Sequence, residues 1–136
     1  MDGRGVLILG PSGSGKSSLA LRLIALGGVL IADDQVILVR QGTVLWAAPP
    51  APLAGLIEAR GVGLVRTCHA PGPIDLVVDL GRTETDRLPP IRNTCVNEVL
   101  LPLVLGPLTD HLSSVISLLL RGAGIAQDVE LLPVKR

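Results

Sequence analysis

Residues Gly10-Pro11-Ser12-Gly13-Ser14-Gly15-Lys16-Ser17 complete the pattern G-x-x-x-x-G-K-[ST]. Such a loop works only between a buried strand and the start of a helix, so it constrains the fold as much as the chemistry. Its glycines let the backbone curl until N–H groups converge on phosphate oxygens. Lys16 carries a positive charge to the outer phosphates, and Ser17 offers a hydroxyl to Mg²⁺. The helix that starts here points its positive end at the same anion. The flanks agree with this reading. Val6-Leu7-Ile8-Leu9 is a short apolar run of the kind a parallel strand shows. Ser18 to Leu26 places Leu19, Leu23 and Leu26 on one helical face, and Gly27-Gly28 ends it.

The chain has 136 residues, which suits one domain. Hydrophobic residues make up 48%, but Phe and Tyr are absent, so the core must be aliphatic. Trp46 is the only side chain able to stack on a base, and its surroundings read as a half-buried strand position. The formal net charge is zero, which gives no bulk attraction to nucleic acid or an anionic membrane. No apolar run approaches a membrane span of roughly 18 residues, and Met1-Asp2-Gly3-Arg4 lacks a signal-peptide pattern. A cytoplasmic protein is the expectation. Cys68 and Cys95 are too far apart for a disulfide framework, and Cys68-His69 is at most half a metal site.

Further along, Val29-Leu30-Ile31-Ala32 reads as a second strand, ending in Asp33-Asp34. Residues 36–40 and 43–46 flank Gln41-Gly42 as a hairpin. Ile74 to Leu80 is another buried strand, Gly81 to Pro90 a polar loop, and Val99 to Leu105 an edge strand because it carries Pro102. Thr109 or Asp110 caps a last helix whose apolar face is Leu112, Val115, Ile116 and Leu119. The first half therefore reads as βαβ with a hairpin appended, and the class as α/β. Residues 1–122 form the expected domain, and 123–136 a loose tail.

Phosphoryl transfer needs a held Mg²⁺ and a group that manages the acceptor proton. Two apolar runs end in acid, at Asp33-Asp34 and at Asp79. Asp33-Asp34 is the stronger candidate for the metal-holding acid, because it follows the strand expected directly after the loop's helix and so should lie near the phosphates. Two adjacent acids are costly unless a cation or a proton relieves them, and one of them could serve as base towards a hydroxyl. Asp79 reads more simply as a solvated strand end. In Glu58-Ala59-Arg60-Gly61-Val62-Gly63, Glu58 could ligate Mg²⁺ and Arg60 could clamp a phosphate, or the two could form an exposed ion pair.

Taken together, Gly5 to Ser17, Leu30-Ile31-Ala32-Asp33-Asp34-Gln35-Val36, Ala47-Ala48-Pro49 and Leu56-Ile57-Glu58-Ala59-Arg60-Gly61-Val62-Gly63 resemble the catalytic domain of bacterial HPr kinase/phosphorylase, in its compact proteobacterial form. The resemblance covers roughly residues 3–105. It implies a P-loop kinase domain akin to the phosphoenolpyruvate carboxykinase fold, commonly a homohexamer. It also implies ATP and Mg²⁺, with a serine of HPr, the phosphocarrier of the sugar phosphotransferase system, as acceptor. Many members also remove that phosphate by phosphorolysis. Carried over, residues 10–17 bind ATP, Ser17 touches Mg²⁺, and Asp34 is base for the kinase and acid for the reverse reaction. Glu58 is a second Mg²⁺ ligand, and Arg87 matches the family's catalytic arginine across a shorter loop. Residues 101–106 correspond to a stretch linked to dephosphorylation.

Three departures accompany the resemblance. The family's catalytic histidine precedes the P-loop by more than the nine residues that precede Gly10 here, and neither His69 nor His111 takes that position. A shortened start and an altered proton handling are the alternatives. Ser18 follows the P-loop serine where the family commonly has an acid, and the match loosens after Arg87. Two other functions stay open on sequence: a P-loop kinase of small molecules, and a nucleotide-binding sensor without turnover.

Overall fold

A computed structural model describes residues 1–126; the end of the expected tail, 127–136, lies outside the described residues. Nine strands and two α-helices are present among them. The strands are β1 (Val6–Leu9), β2 (Ile37–Gln41), β3 (Val44–Ala48), β4 (Leu56–Ala59), β5 (Gly63–Arg66), β6 (Gly72–Ile74), β7 (Leu76–Thr83), β8 (Arg92–Val96) and β9 (Val99–Gly106). The helices are α1 (Lys16–Ala25) and α2 (Asp110–Leu120). The class is mixed α/β.

The main sheet has the order β1-β7-β9-β8. β1, β7 and β9 run parallel, and β8 is antiparallel to β9. β7 is buried on both faces, because alternate side chains feed two different cores. Leu76, Val78 and Leu80 pack with Leu19 and Leu23 of α1 and with Leu112, Ile116 and Leu120 of α2. Val77 faces the other way, towards Leu7, Leu45, Ala47, Ile74, Val99 and Leu101. That second core is closed by a smaller sheet, β2-β3-β6. Burying each of these aliphatic side chains contributes roughly 1.5–3 kcal/mol. Trp46 lies on the outer face of the smaller sheet, 36% exposed, opposite Val39 and Pro73.

Several expectations are met. The hairpin at residues 41–43 forms, with Gly42 at φ 63° in its turn. Thr109 caps α2, its side chain accepting from the Leu112 N–H at 3.0 Å. Two expectations are overturned. Val29–Ala32 is not a strand: Leu30 alone makes a bridge, to His69, and the parallel neighbour of β1 is β7. The physical reason is the lack of a neighbouring ladder: Leu30 and Ile31 are held by side-chain packing, Val29 stands in solvent, and one bridge is the segment's whole β-pairing. The simple βαβ order is therefore replaced by a long excursion between β1 and its partner. β9 is also not an edge strand despite Pro102. Pro102 faces Asn93 of β8 and precedes the stretch that pairs with β7, which begins at Leu103. The missing N–H therefore falls before that ladder begins. β4 and β5 form a separate antiparallel hairpin.

The entry to β1 is tight. Gly5 donates its N–H to the Asp75 carboxylate at 2.9 Å, and its carbonyl accepts from the Asp75 and Leu76 N–H groups. A Cβ on Gly5 would lie 2.0 Å from the Pro73 carbonyl oxygen, which is backbone and cannot rotate away. Gly5→Ala is expected to lower the unfolding free energy by about 1–3 kcal/mol, the usual range for overpacking. Urea denaturation followed by circular dichroism measures this, and an unchanged midpoint would show that β1 and β6 can separate freely.

Candidate functional site

β1 passes into the loop at Gly10, and α1 begins at Lys16 with Gly15 at its N-cap in a left-handed conformation, φ 100°. The close quarters explain the glycines. A Cβ on Gly10 would meet Ser14 Oγ at 2.5 Å, and one on Gly15 would meet the Leu108 side chain at 2.7 Å. Lys16 Nζ turns back into the loop and donates to the carbonyls of Gly10 (2.6 Å) and Pro11 (3.2 Å). An ammonium has three donors, so one is left for an anion. The first turn of α1 carries no acid, and its N-cap has no side-chain hydrogen bond. The positive end of the helix is thus uncompensated by the chain itself, as an anion site requires. Ser14 Oγ is buried within the loop without a hydrogen-bond partner. An uncapped helix start beside an orphaned hydroxyl fits bound phosphate.

Asp33 is brought to this loop. Its Oδ1 accepts from Ser17 Oγ at 2.9 Å, and its Oδ2 accepts from the Glu58 N–H at 3.0 Å. One carboxylate therefore ties the start of α1, the segment after it, and β4. The Glu58 side chain itself is exposed and makes no hydrogen bond among the described residues. Asp34 is exposed and takes φ 62°, a left-handed conformation that turns the chain immediately after Asp33. Asp33, Asp34, Gln35 and Lys16 share the lining of a cleft of about 200 Å³ along β1. No three His, Cys, Asp or Glu side chains converge on one point among the described residues. The Ser17–Asp33 pair is instead a hydroxyl with a carboxylate. Such an all-oxygen pair, with room for phosphate oxygens and water, fits Mg²⁺, which takes few protein ligands.

Not every expected residue joins this cluster. Arg87 is exposed on the loop between β7 and β8, with no hydrogen bond to the P-loop. Arg60 is exposed at the turn between β4 and β5 and makes no ion pair with Glu58. Asp79, by contrast, is closer to the loop than a solvated strand end implies. It pairs in register with Leu9, the residue before Gly10, and its Oδ1 accepts from the Gly81 N–H at 2.9 Å. Gly81 in turn lies against the loop, where an added Cβ would sit 2.9 Å from Pro11 Cδ. No local signal locates this contact, because the apolar run before Asp79 is only Leu76-Val77-Val78 and the pairing of β7 with β1 joins residues about 70 apart in the chain.

Sequence reasoning also missed Glu84. It forms a two-pronged ion pair with Arg92: Nε to Oε1 at 2.9 Å and Nη2 to Oε2 at 3.0 Å. The Arg92 guanidinium holds the Glu84 carboxyl at about 2, well below its ordinary 4.5, with help from the N–H groups of Asp86 and Thr85 and against partial desolvation.

Comparison with known proteins agrees with the geometry. Residues 1–88 match the model of the HPr Serine kinase C-terminal domain family. An HPr kinase/phosphorylase of Aromatoleum aromaticum is 44% identical over 106 residues, covering 68% of this chain and 34% of that protein. One from Mycoplasmopsis pulmonis is 46% identical over 63 residues, covering 46% of this chain and 20% of that protein. The chain thus spans about a third or less of the curated relatives it matches. The solved structure of the Hpr(Ser) kinase/phosphatase from Coxiella burnetii superposes with a TM-score of 0.75 at 27% identity, covering 89% of this chain and 88% of that one.

Two outcomes follow from the electrostatics. Asp33→Ala strands the Ser17 hydroxyl and the Glu58 N–H, and is expected to cost about 1–3 kcal/mol in chemical denaturation; an unchanged stability would mean that water replaces the carboxylate. Because Glu84 is held below its ordinary value, its contribution to stability is complete above pH 4.5 and is lost as the pH falls towards 2. The difference in Tm between wild type and Glu84→Gln should therefore be flat above pH 5 and shrink steadily below it.

Proposed function

The chain belongs to the HPr serine kinase C-terminal domain family, and from that premise we propose that it is an ATP- and Mg²⁺-dependent protein serine kinase acting on an HPr-like phosphocarrier. The observation that carries this reading is the Ser17–Asp33 contact at the open N-terminus of α1. It joins a hard-cation site to an anion site on one helical turn. In this reading residues 1–122 form a P-loop kinase domain of the phosphoenolpyruvate carboxykinase-like class, cytoplasmic and homohexameric. No described helix is long and apolar enough to cross a membrane.

Each residue has a defined task. Backbone N–H groups of the glycine loop, with Pro11 contributing none, and the charge of Lys16 hold the phosphates of ATP. Ser17 and Asp33 hold Mg²⁺, with the exposed Glu58 carboxylate as a further ligand. When bound, the metal neutralises charge on the phosphate oxygens. Asp34 takes the proton from the acceptor serine hydroxyl as that oxygen bonds to the γ-phosphorus and the bond to ADP breaks. Its exposure lets a protein substrate reach it. Arg87 balances the charge of the transferring group. In the phosphorylase direction, an oxygen of inorganic phosphate bonds to the phosphoserine phosphorus, the serine O–P bond breaks, pyrophosphate leaves and Asp34 gives its proton to the serine oxygen.

Labelled ATP, Mg²⁺ and purified HPr test the proposal. Label should move to a serine of HPr; a protein that binds nucleotide but leaves HPr unlabelled would sink it. Asp34→Asn should lower transfer by roughly 10²–10⁴-fold, the usual weight of a proton-transfer group, while nucleotide affinity stays within a factor of about two. An unaffected rate would remove Asp34 from the base role.

A further inference from the structure

The ion pair between Glu84 and Arg92 closes a loop that carries Arg87. β7 ends at Thr83 and β8 begins at Arg92, so the pair joins the two ends of the intervening segment. The same Glu84 carboxylate also accepts the N–H groups of Thr85 (3.1 Å) and Asp86 (3.3 Å), the residues leading into Arg87. Four N–H donors thus converge on one carboxylate. The backbone N–H of Glu84 is bound as well, to the carbonyl of Gly106 at the end of β9, at 2.8 Å. Of the three side-chain ion pairs among the described residues this is the least exposed, with Arg92 and Glu84 at 29% and 19%. Fork-to-fork geometry and partial burial are the conditions under which an ion pair holds shape rather than merely decorating a surface.

The loop is hung from the same strand ends that support the P-loop. Gly81 of β7 lies against Pro11 and Gly10. Beyond Gly106, Leu108 lies against Gly15. A displacement at the base of the Arg87 loop therefore has packed backbone on both sides linking it to the phosphate loop.

We propose that Glu84 and Arg92 are positioning residues, which hold the loop so that Arg87 meets the phosphoryl group in transfer. This rests on the kinase reading above for the role of Arg87, but the holding itself does not. The Glu84 carboxylate makes no hydrogen bond to the phosphate loop; its partners are the backbone of Thr85 and Asp86 and the side chain of Arg92.

The experiment has two arms. In the first, amide hydrogen exchange is measured on the full chain without nucleotide. Glu84→Gln should speed exchange at the bonded amides of residues 84–86 by tenfold or more, and leave α1 and β7 unchanged. Arg92→Lys, which keeps the charge but loses the fork, should give an intermediate rate and guards against a Gln variant that folds poorly. Unchanged exchange in both variants overturns the proposal. In the second, transfer to HPr is compared for wild type, Glu84→Gln, Arg87→Ala and the double variant. Glu84→Gln should lower kcat by about tenfold with ATP affinity unchanged, and should have no further effect once Arg87 is gone. Independent, multiplying effects of the two changes overturn the proposal, because a purely structural loss does not depend on Arg87. If wild type fails to label HPr, the kinase reading falls, and the exchange arm alone decides the holding role.

Discussion

The parallel pairing of β1 with β7 is the constraint on which the molecule depends. β1 is only four residues long, and its register with β7 runs from Val6 opposite Leu76 to Leu9 opposite Asp79. β7 can serve as that template because it is buried on both faces, by helices on one side and by the smaller sheet on the other. A one-residue slip would exchange the two faces and place Val77 among the helices. The same register decides where the phosphate loop starts, since Gly10 is the next residue after Leu9. Packing and chemistry thus share one ladder.

The site adds a second kind of link. The Asp33 carboxylate joins Ser17 to the Glu58 backbone, and so connects segments that meet in no common sheet. In an apolar core such a group would be costly. Here it is half-buried, with both oxygens accepting hydrogen bonds. The uncapped, acid-free start of α1 lies beside it, so a negative oxygen and a positive helix end face the same small space. That juxtaposition suits a ligand carrying both a cation and phosphates.

The loop, the helix after it, the hairpin and the capped last helix were all legible in the sequence, because each is specified by residues close together in the chain. Glycines, a lysine and a serine at fixed spacing are local signals. So is Thr109 three residues before the N–H it accepts. The rest depends on partners distant in sequence. An apolar run such as Val29–Ala32 looks alike whether or not a strand lies beside it, and only the packed molecule shows that Leu30 and Ile31 are covered without a ladder. Pro102 signals an edge unless the register of its neighbour is known. Asp79 and Glu84 gained their meaning from β7 and β9, whose side-by-side order no local pattern announces. At the site, the nearness of Asp33 to the phosphate loop was expected, though from a strand that does not form, whereas its bonds to Ser17 and to the backbone of β4 were not legible.

The aliphatic core leaves one optical consequence. With no Phe or Tyr, all near-ultraviolet aromatic signal of this chain comes from the indole of Trp46. That ring is on the outer face of the smaller sheet, beside Val39 and Pro73, and belongs to neither the phosphate loop nor the Asp33 cluster. Its emission is therefore a built-in gauge of one layer only. It will follow the unfolding of the β2-β3-β6 sheet itself, and a comparison with backbone signals will reveal whether that layer and the main sheet unfold together or in sequence.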